Sequence, residues 1–194
     1  MSKKAVLFSG GFDSSCLVKL TRPNICYFVD YGQVTVLAEY NAAKSISREL
    51  DTPLVKLSTN LRELGCGTLA GENSCEGGYP AEWWPYRNQM LITLAGMRAF
   101  KDGVSEIVIG TVKTDANRHR DGTREFIESI SRLMGIQEGG LKVSAPALDM
   151  TQQELAASSG ISERLLLKSF SCHKANFHCG TCPGCLKRAE FFGW

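Results

Sequence analysis

The chain has 194 residues, of which 43% are hydrophobic and 22% are charged, as in an ordinary soluble globular protein. This length predicts a single domain, residues 1–194, with a full hydrophobic core. The formal net charge of +2 gives no reason to expect a bulk nucleic-acid binder, although it allows a local basic patch. The N-terminal apolar run is too short for a signal peptide or a transmembrane helix, so we expect a cytoplasmic protein without membrane association.

Short apolar runs alternate with helical patterns along the whole chain. In chain order, the patterns predict strand Lys4–Ser9, helix Ser14–Leu20, strand Ile25–Asp30, helix Val34–Leu50, strand Leu54–Leu57, helix Arg87–Phe100, strand Glu106–Gly110, helix Arg124–Met134, strand Lys142–Ser144 and a helix opened by a capping box at Thr151. Residues 58–84 have weak periodicity, which is typical of a functional or flexible loop. The alternation predicts an α/β fold, doubly wound around a five-stranded parallel sheet, and ligands of such sheets bind at the carboxyl ends of the strands.

The stretch SGGFDSS, residues 9–15, follows the first predicted strand directly. Gly10 and Gly11 leave backbone N–H groups unobstructed, and a helix beginning near Asp13, its expected cap, adds the positive end of its dipole. Hydroxyl groups are contributed by Ser9, Ser14 and Ser15. The pattern favours a pocket for an oxyanion, most simply the phosphates of a nucleotide, with an ordinary strand–turn–helix corner as the alternative. It is not a Walker A loop, because no GK[ST] follows.

Four of the eight cysteines crowd into the segment 170–190 with the spacing C-x6-C-x2-C-x2-C. Four thiolates form the tetrahedral ligand set of a structural Zn²⁺ site, here Cys172, Cys179, Cys182 and Cys185. His173 and His178 are alternative ligands, and an iron–sulfur cluster is the competing metal centre. No disulfide framework is expected without a secretion signal. Cys16 and Cys26 are expected in the core, whereas Cys66 and Cys75 lie in the loop, where a reactive role is the less favoured alternative.

The glycine loop resembles SGGxDS, the pyrophosphate-binding loop of the N-type ATP pyrophosphatases. Together with the cysteine segment, it makes most of the chain resemble the 7-cyano-7-deazaguanine synthase (QueC) family. The segments that carry the resemblance are FSGGFDSSCL, DYGQ at 30–33, PYRN at 85–88, VIGTVKTD with the later Asp121 and Glu125, and SCHKANFHCGTCPGCLKR. The resemblance implies an adenine nucleotide alpha hydrolase-like fold with a C-terminal zinc knot. It also implies an enzyme that uses ATP, Mg²⁺ and ammonia to convert 7-carboxy-7-deazaguanine to an amide and then a nitrile.

The same resemblance implies two groups of site residues. Those expected to bind ATP are Phe8, Ser9, Gly10, Gly11, Asp13, Ser14, Ser15 and Gly110. Those expected to bind the deazapurine acid are Tyr31, Gln33, Trp84, Arg87, Asn88, Thr114, Asp115, Asp121 and Glu125.

The catalytic candidates among these residues are Asp13, as an orienting group for the loop or for Mg²⁺, and Arg87, as a bidentate partner of a carboxylate or phosphate. Asp115 and Asp121 suit hydrogen bonds from a guanine-like edge, and a solvated surface position is the alternative for each acidic residue. Trp84 either stacks on a flat base or packs the loop onto the core. In their structural roles, Asn88 would cap the following helix and Glu125 would lie in a first helical turn.

The chain also departs from the family pattern. Val34-Thr35 stands where Arg-His is usual, Tyr86 where glycine is usual, and NRHRDGTREF at 117–126 where the family has SGYPDCRPEF. These departures keep open a defence-system enzyme that joins the deazaguanine acid to a protein amine, with Arg118-His119-Arg120 contacting an acidic partner or remaining solvated. Further alternatives are a tRNA-thiolating ATP pyrophosphatase and a non-catalytic nucleotide and zinc-binding module. A homodimer is also compatible with the apolar ending at 191–194, which would be buried in a partner or in the chain's own core.

Overall fold

The computed structural model describes residues 2–194 and is built around a five-stranded, wholly parallel sheet with strand order β3-β2-β1-β4-β5. The strands are β1 (Lys4–Leu7), β2 (Ile25–Asp30), β3 (Leu54–Ser58), β4 (Glu106–Val108) and β5 (Lys142–Ser144). The helices are α1 (Phe12–Thr21), α2 (Val36–Glu49), α3 (Arg87–Asp102), α4 (Arg124–Gly135), α5 (Gln152–Ser159), α6 (Glu163–Leu166) and α7 (Pro183–Phe192). The predicted doubly wound α/β fold is confirmed.

Both faces of the sheet are covered, which explains why its strands are continuously apolar instead of alternating. Along β1, Val6 faces a core filled from α1, α2, α5 and α6, whereas Ala5 faces a second core filled from α3 and α4. In β2, Phe28 likewise faces the first core and Tyr27 faces the second. The sheet is therefore the middle of three layers, and its carboxyl edge is left free for a site.

The predicted element boundaries differ from the observed ones where the chain leaves the sheet. β1 ends at Leu7 instead of Ser9, and β4 at Val108 instead of Gly110, because the following residues turn into the loops of the carboxyl edge. The N-cap of α1 is Gly11, so Asp13 lies inside the first turn and does not cap the helix. Likewise Tyr86 is the N-cap of α3, and Asn88 caps nothing. The capping box between Thr151 and Glu154 is confirmed.

The loop 59–86 contains only one short 3₁₀ turn, Arg62–Leu64, as its weak periodicity predicted. Contrary to the expectation of no disulfides, Cys66 and Cys75 are joined within this loop, with Cα atoms 5.5 Å apart. The loop folds back on itself at Gly67, where an added Cβ would lie 2.5 Å from the Ala81 carbonyl oxygen. This return brings together two cysteines that their separation in the sequence does not mark as partners.

The C-terminal aromatic residues pack against this chain's own core. Phe191 meets Phe12 edge-on with ring centroids 4.4 Å apart, and Phe192 packs against the same ring at 6.3 Å. Trp194 stacks on Phe192 and stays 72% exposed. Cys16 and Cys26 are fully buried, as predicted. Within residues 2–194 no helix has the length and apolar character that crossing a membrane requires.

Candidate functional site

A cleft of about 780 Å³ opens at the carboxyl edge of the sheet, where the predicted site segments converge. The predicted residues that line it are Phe8, Ser9, Gly11, Asp13, Ser14, Tyr31, Arg87, Asn88, Gly110, Thr114, Asp115 and Asp121. Those that lie outside its lining are Gly10, Ser15, Gln33, Trp84 and Glu125. A smaller depression of about 370 Å³ beside β3 contains none of the predicted residues. The cleft is therefore the candidate site.

The loop after β1 presents backbone and hydroxyl groups to this cleft. No side chain caps the N-terminus of α1, so the N–H groups of its first turn are left for a ligand. Ser9 Oγ lies 3.2 Å from Ser14 Oγ and accepts the Gly11 N–H at 3.2 Å. Ser15 lies behind the loop, where its hydroxyl donates to the Gly11 carbonyl at 2.6 Å. Such an arrangement suits an anion, because the partial positive charge of the helix end adds to the free donors.

Gly10 shapes the loop from behind. Its φ is +77°, a conformation that favours glycine. An added Cβ would lie 2.5 Å from the Glu39 carbonyl oxygen and 2.6 Å from the Ala43 nitrogen, both backbone atoms of α2. The glycine therefore lets the loop lie directly against α2, which sets its height above the sheet.

Charged side chains cross the middle of the cleft. Asp13 Oδ1 accepts a hydrogen bond from Gln152 Nε2 at 2.9 Å, and its Oδ2 lies 3.1 Å from Lys187 Nζ. The same ammonium lies 3.5 Å from Asp115 Oδ1. Asp115 uses its other oxygen to accept the Val112 N–H at 2.9 Å, so this carboxylate also fixes the loop after β4. Burial lowers the pKa of Lys187, but the two carboxylates outweigh it and raise the pKa overall.

A second group lies where β2 meets α3. Arg87 is the first residue of α3, and its positive charge opposes the rise in pKa that burial causes at Tyr31 and Glu39. Burial raises the pKa of Glu39, which accepts hydrogen bonds from Thr35 at 2.5 Å and from Gln33 at 3.0 Å. Glu39 was not predicted from the sequence, because it lies inside an amphipathic helix with no motif around it.

Two of the predicted substrate-binding residues have structural roles beside this group. Gln33 accepts the Tyr31 N–H at 3.0 Å and so fixes the turn after β2. Trp84 meets the Tyr31 ring edge-on at 5.1 Å and is 4% exposed, so it packs the loop 59–86 onto the core. Of the two alternatives for Trp84, the packing role is the one the structure has.

The loop 59–86 is also tied to the segment after β4. The side chain of Glu82 is 7% exposed, and its Oε1 lies 2.7 Å from Arg118 Nη2 and 3.3 Å from His119 Nε2. Burial raises the pKa of Glu82, but the hydrogen bond from His119 and the charge of Arg118 outweigh it and lower the pKa to about 2. Arg118 and His119 are therefore bound within the chain, while Arg120 is exposed. Glu82 was missed because nothing in its sequence context indicates a partner. Glu125 lies exposed in the first turn of α4.

The four cysteines of the C-terminal segment lie together, with all sulfur atoms within 4.8 Å of one another. The distances from Cys179 to Cys185 and from Cys172 to Cys182 are both 3.9 Å. Zn–S bonds of about 2.3 Å in a tetrahedron place sulfurs about 3.8 Å apart, so the set fits one zinc ion and leaves no open position. His173 and His178 are not part of the set.

Backbone N–H groups point at these sulfurs, as thiolates require. The N–H groups of His173 and Cys185 both approach Cys182 Sγ at 3.4 Å, and Cys182 in turn caps the N-terminus of α7. Gly184 is required at its position, because an added Cβ would lie 1.8 Å from the Ser171 carbonyl oxygen. A knot of this kind supplies folding free energy and fixes the start of α7.

The parallel sheet, the glycine loop after β1 and the cysteine cluster define an α/β protein of the ATP pyrophosphatase type whose four cysteines fit a structural metal ion. Residues 3–193 match the family model described as queuosine biosynthesis protein QueC, and the chain belongs to this family. This membership confirms the prediction of an enzyme, an ATP-dependent C–N ligase of the 7-cyano-7-deazaguanine synthase type.

Curated relatives match along almost the whole chain. The protein named 7-cyano-7-deazaguanine synthase 1 from Desulfitobacterium hafniense (strain Y51) is 30% identical over 97% of this chain and 90% of its own length. Proteins named 7-cyano-7-deazaguanine synthase from Pseudomonas fluorescens and from a Nitratiruptor species are 29% and 27% identical over 98% of this chain, covering 90% and 93% of their own lengths.

A solved structure described as a predicted subunit of tRNA methyltransferase from Methanocaldococcus jannaschii has a similar fold. Its TM-score is 0.54 at 17% identity, over 82% of this chain and 75% of that one. At this identity the similarity supports the fold alone.

Proposed function

We propose that the enzyme adenylates the carboxylate of 7-carboxy-7-deazaguanine with ATP and forms a C–N bond with ammonia, giving first the amide and then the nitrile. The observation that carries the proposal is the uncapped N-terminus of α1, which follows the glycine loop and opens into the cleft. Free N–H groups at this position suit the phosphates of ATP, and the cleft leaves room beside them for a second substrate.

The proposed reaction has two similar halves, the first forming the amide and the second forming the nitrile. A carboxylate oxygen of the acid attacks the α-phosphorus of ATP, and pyrophosphate leaves with the electrons of the broken P–O bond. Ammonia then attacks the acyl carbon, loses a proton and displaces AMP, which yields the amide. In the second half the amide oxygen is adenylated by another ATP, and loss of AMP with the remaining N–H protons yields the nitrile.

The chain's own residues suit these steps. The loop 9–15 binds the departing pyrophosphate through its N–H and hydroxyl groups, and Asp13 would hold the Mg²⁺ that accompanies ATP. Arg87 has the guanidinium that pairs with the substrate carboxylate before adenylation. Asp121 is the better candidate for a guanine-like edge, because Asp115 already binds Val112 and Lys187. The zinc held by the four cysteines would have a structural role and take no part in the bond-forming steps.

An assay with purified protein, ATP, Mg²⁺, 7-carboxy-7-deazaguanine and ammonia tests the proposal through AMP release and the mass of the product. The expected product masses are those of the amide and the nitrile. Asp13→Asn should abolish AMP release without unfolding the protein, because its carboxylate is replaced by a neutral isostere. Asp149→Asn is the matched control, since the Asp149 side chain is 81% exposed and pairs with Arg124 outside the cleft.

Different outcomes point to different alternatives. Bound ATP without AMP release above background would overturn the ligase proposal and favour a binding module. AMP release that requires a protein amine instead of ammonia would identify a conjugating enzyme. Formation of a thionucleoside would identify a tRNA-thiolating enzyme, and unchanged turnover in Asp13→Asn would refute the role of Asp13.

A further inference from the structure

The glycine loop lacks the lysine that a Walker A loop uses to bind phosphate. ATP nevertheless brings several negative charges into the cleft, where Asp13 and Asp115 add two more. Backbone N–H groups carry only partial charge, so a cationic side chain near α1 would favour binding. Leaving histidines aside, the cations that line the cleft within residues 2–194 are Arg87, Arg118, Lys187 and Arg188.

Three of these cations are engaged elsewhere. Arg188 is 5% exposed and donates to the Leu167 carbonyl at 2.8 Å and to Ser169 Oγ at 2.7 Å, so its guanidinium holds the turn after α6. Arg118 is paired with Glu82 across the far wall of the cleft. Arg87 begins α3 near the end of β2, and the proposed function assigns its guanidinium to the carboxylate of the deazapurine acid.

Lys187 is the cation beside the phosphate loop. Its Nζ lies 3.1 Å from Asp13 Oδ2, and Asp13 is the second residue of α1. Its second partner, Asp115, lies in the loop after β4 at 3.5 Å. The Lys187 side chain keeps 33% of its surface exposed. The ammonium therefore bridges the first turn of α1 and the loop after β4, on a side chain that solvent partly reaches.

The geometry points to Lys187 as the phosphate-binding cation of this enzyme, which takes the part that a P-loop lysine plays in other nucleotide-binding proteins. Its ammonium binds the phosphate oxygens of ATP that later leave as pyrophosphate, while Asp13 and Asp115 hold it in place in the free protein. The inference rests on the proposed use of ATP and adds a residue that comes from the far end of the chain, on the helix that the cysteine knot begins.

Isothermal titration of the full chain with Mg·ATP, inorganic pyrophosphate and adenosine tests this assignment. Lys187→Met should weaken binding of Mg·ATP and pyrophosphate roughly tenfold to a hundredfold, since one charge-assisted hydrogen bond is lost. Adenosine has no phosphate, so its affinity should not change. Lys187→Arg should restore part of the loss. Lys113→Met is the matched control, because Lys113 is an exposed lysine on the loop after β4 that does not line the cleft.

Zinc content and the unfolding midpoint, measured on the same samples, separate phosphate binding from folding. A merely structural role would weaken adenosine and ATP equally, and that result would overturn the assignment. Equal pyrophosphate affinity in wild type and Lys187→Met would overturn it as well. If the wild type binds ATP and pyrophosphate but releases no AMP with the deazapurine acid, the proposed reaction fails, while the comparison of affinities still decides the role of Lys187.

Discussion

Replacing Gly10 with alanine should incur two separate energetic costs in the glycine loop. The first is backbone strain, since a left-handed conformation costs an L-residue about 1–2 kcal/mol. The second is overlap, because the new methyl group would lie 2.5 Å and 2.6 Å from backbone atoms of α2 that cannot rotate away. Overpacking of this kind costs about 1–3 kcal/mol, so we expect Gly10→Ala to lower the free energy of unfolding by about 2–5 kcal/mol.

Gly103→Ala provides the matched control. Gly103 has a φ of +67°, close to the +77° of Gly10, but an added Cβ there meets nothing within 4 Å. It should therefore cost the strain alone, about 1–2 kcal/mol. Urea unfolding of both variants and the wild type measures the difference in the free energy of unfolding. Titration with Mg·ATP tests whether Gly10→Ala, unlike Gly103→Ala, also weakens nucleotide binding. Equal destabilisation of the two variants would refute the claim that the loop is set by contact with α2.

Two further predictions concern the knot and the buried acid. Cys182→Ser should remove zinc and lower the unfolding midpoint, because it deletes a metal ligand while serine can still cap α7. Unchanged zinc content by mass spectrometry would contradict the four-cysteine site. The pKa of Glu82 lies below its ordinary value, at about 2, so the stability it contributes is present above about pH 4.5 and is lost as the pH falls toward 2. Glu82→Gln should therefore be most destabilising near pH 6 and less so at pH 3.5 in urea unfolding. A difference in the free energy of unfolding that does not change with pH would contradict this. Loss of metal in acid affects both proteins alike.

The sequence predicted the layers of the fold well because the signal for them is local. The short apolar run within Lys4–Ser9, which stops at Gly10, indicates a buried parallel strand, and the loop after such a strand lies at the carboxyl edge of the sheet. The cysteine spacing likewise determines a tight knot. What the sequence did not predict depends on side-chain pairing across long distances. Examples are the contact of Glu82 with Arg118 and the disulfide in the loop 59–86, since a loop without periodicity gives no sign of where it returns.

The four cysteines leave no open position on a bound metal ion, yet they lie beside the cleft. Their position follows from their role in orienting α7. A helix of ten residues is marginal on its own, so its orientation must be fixed from outside. Cys182 and Cys185 fix its first turn, and Arg188 fixes the next by donating to the turn after α6. Adjacent helical residues point about 100° apart, so anchoring Arg188 in the core turns Lys187 toward Asp13. We therefore expect zinc at the four cysteines to affect nucleotide binding through the orientation of this one short helix, so that loss of zinc should weaken ATP binding before it abolishes the sheet.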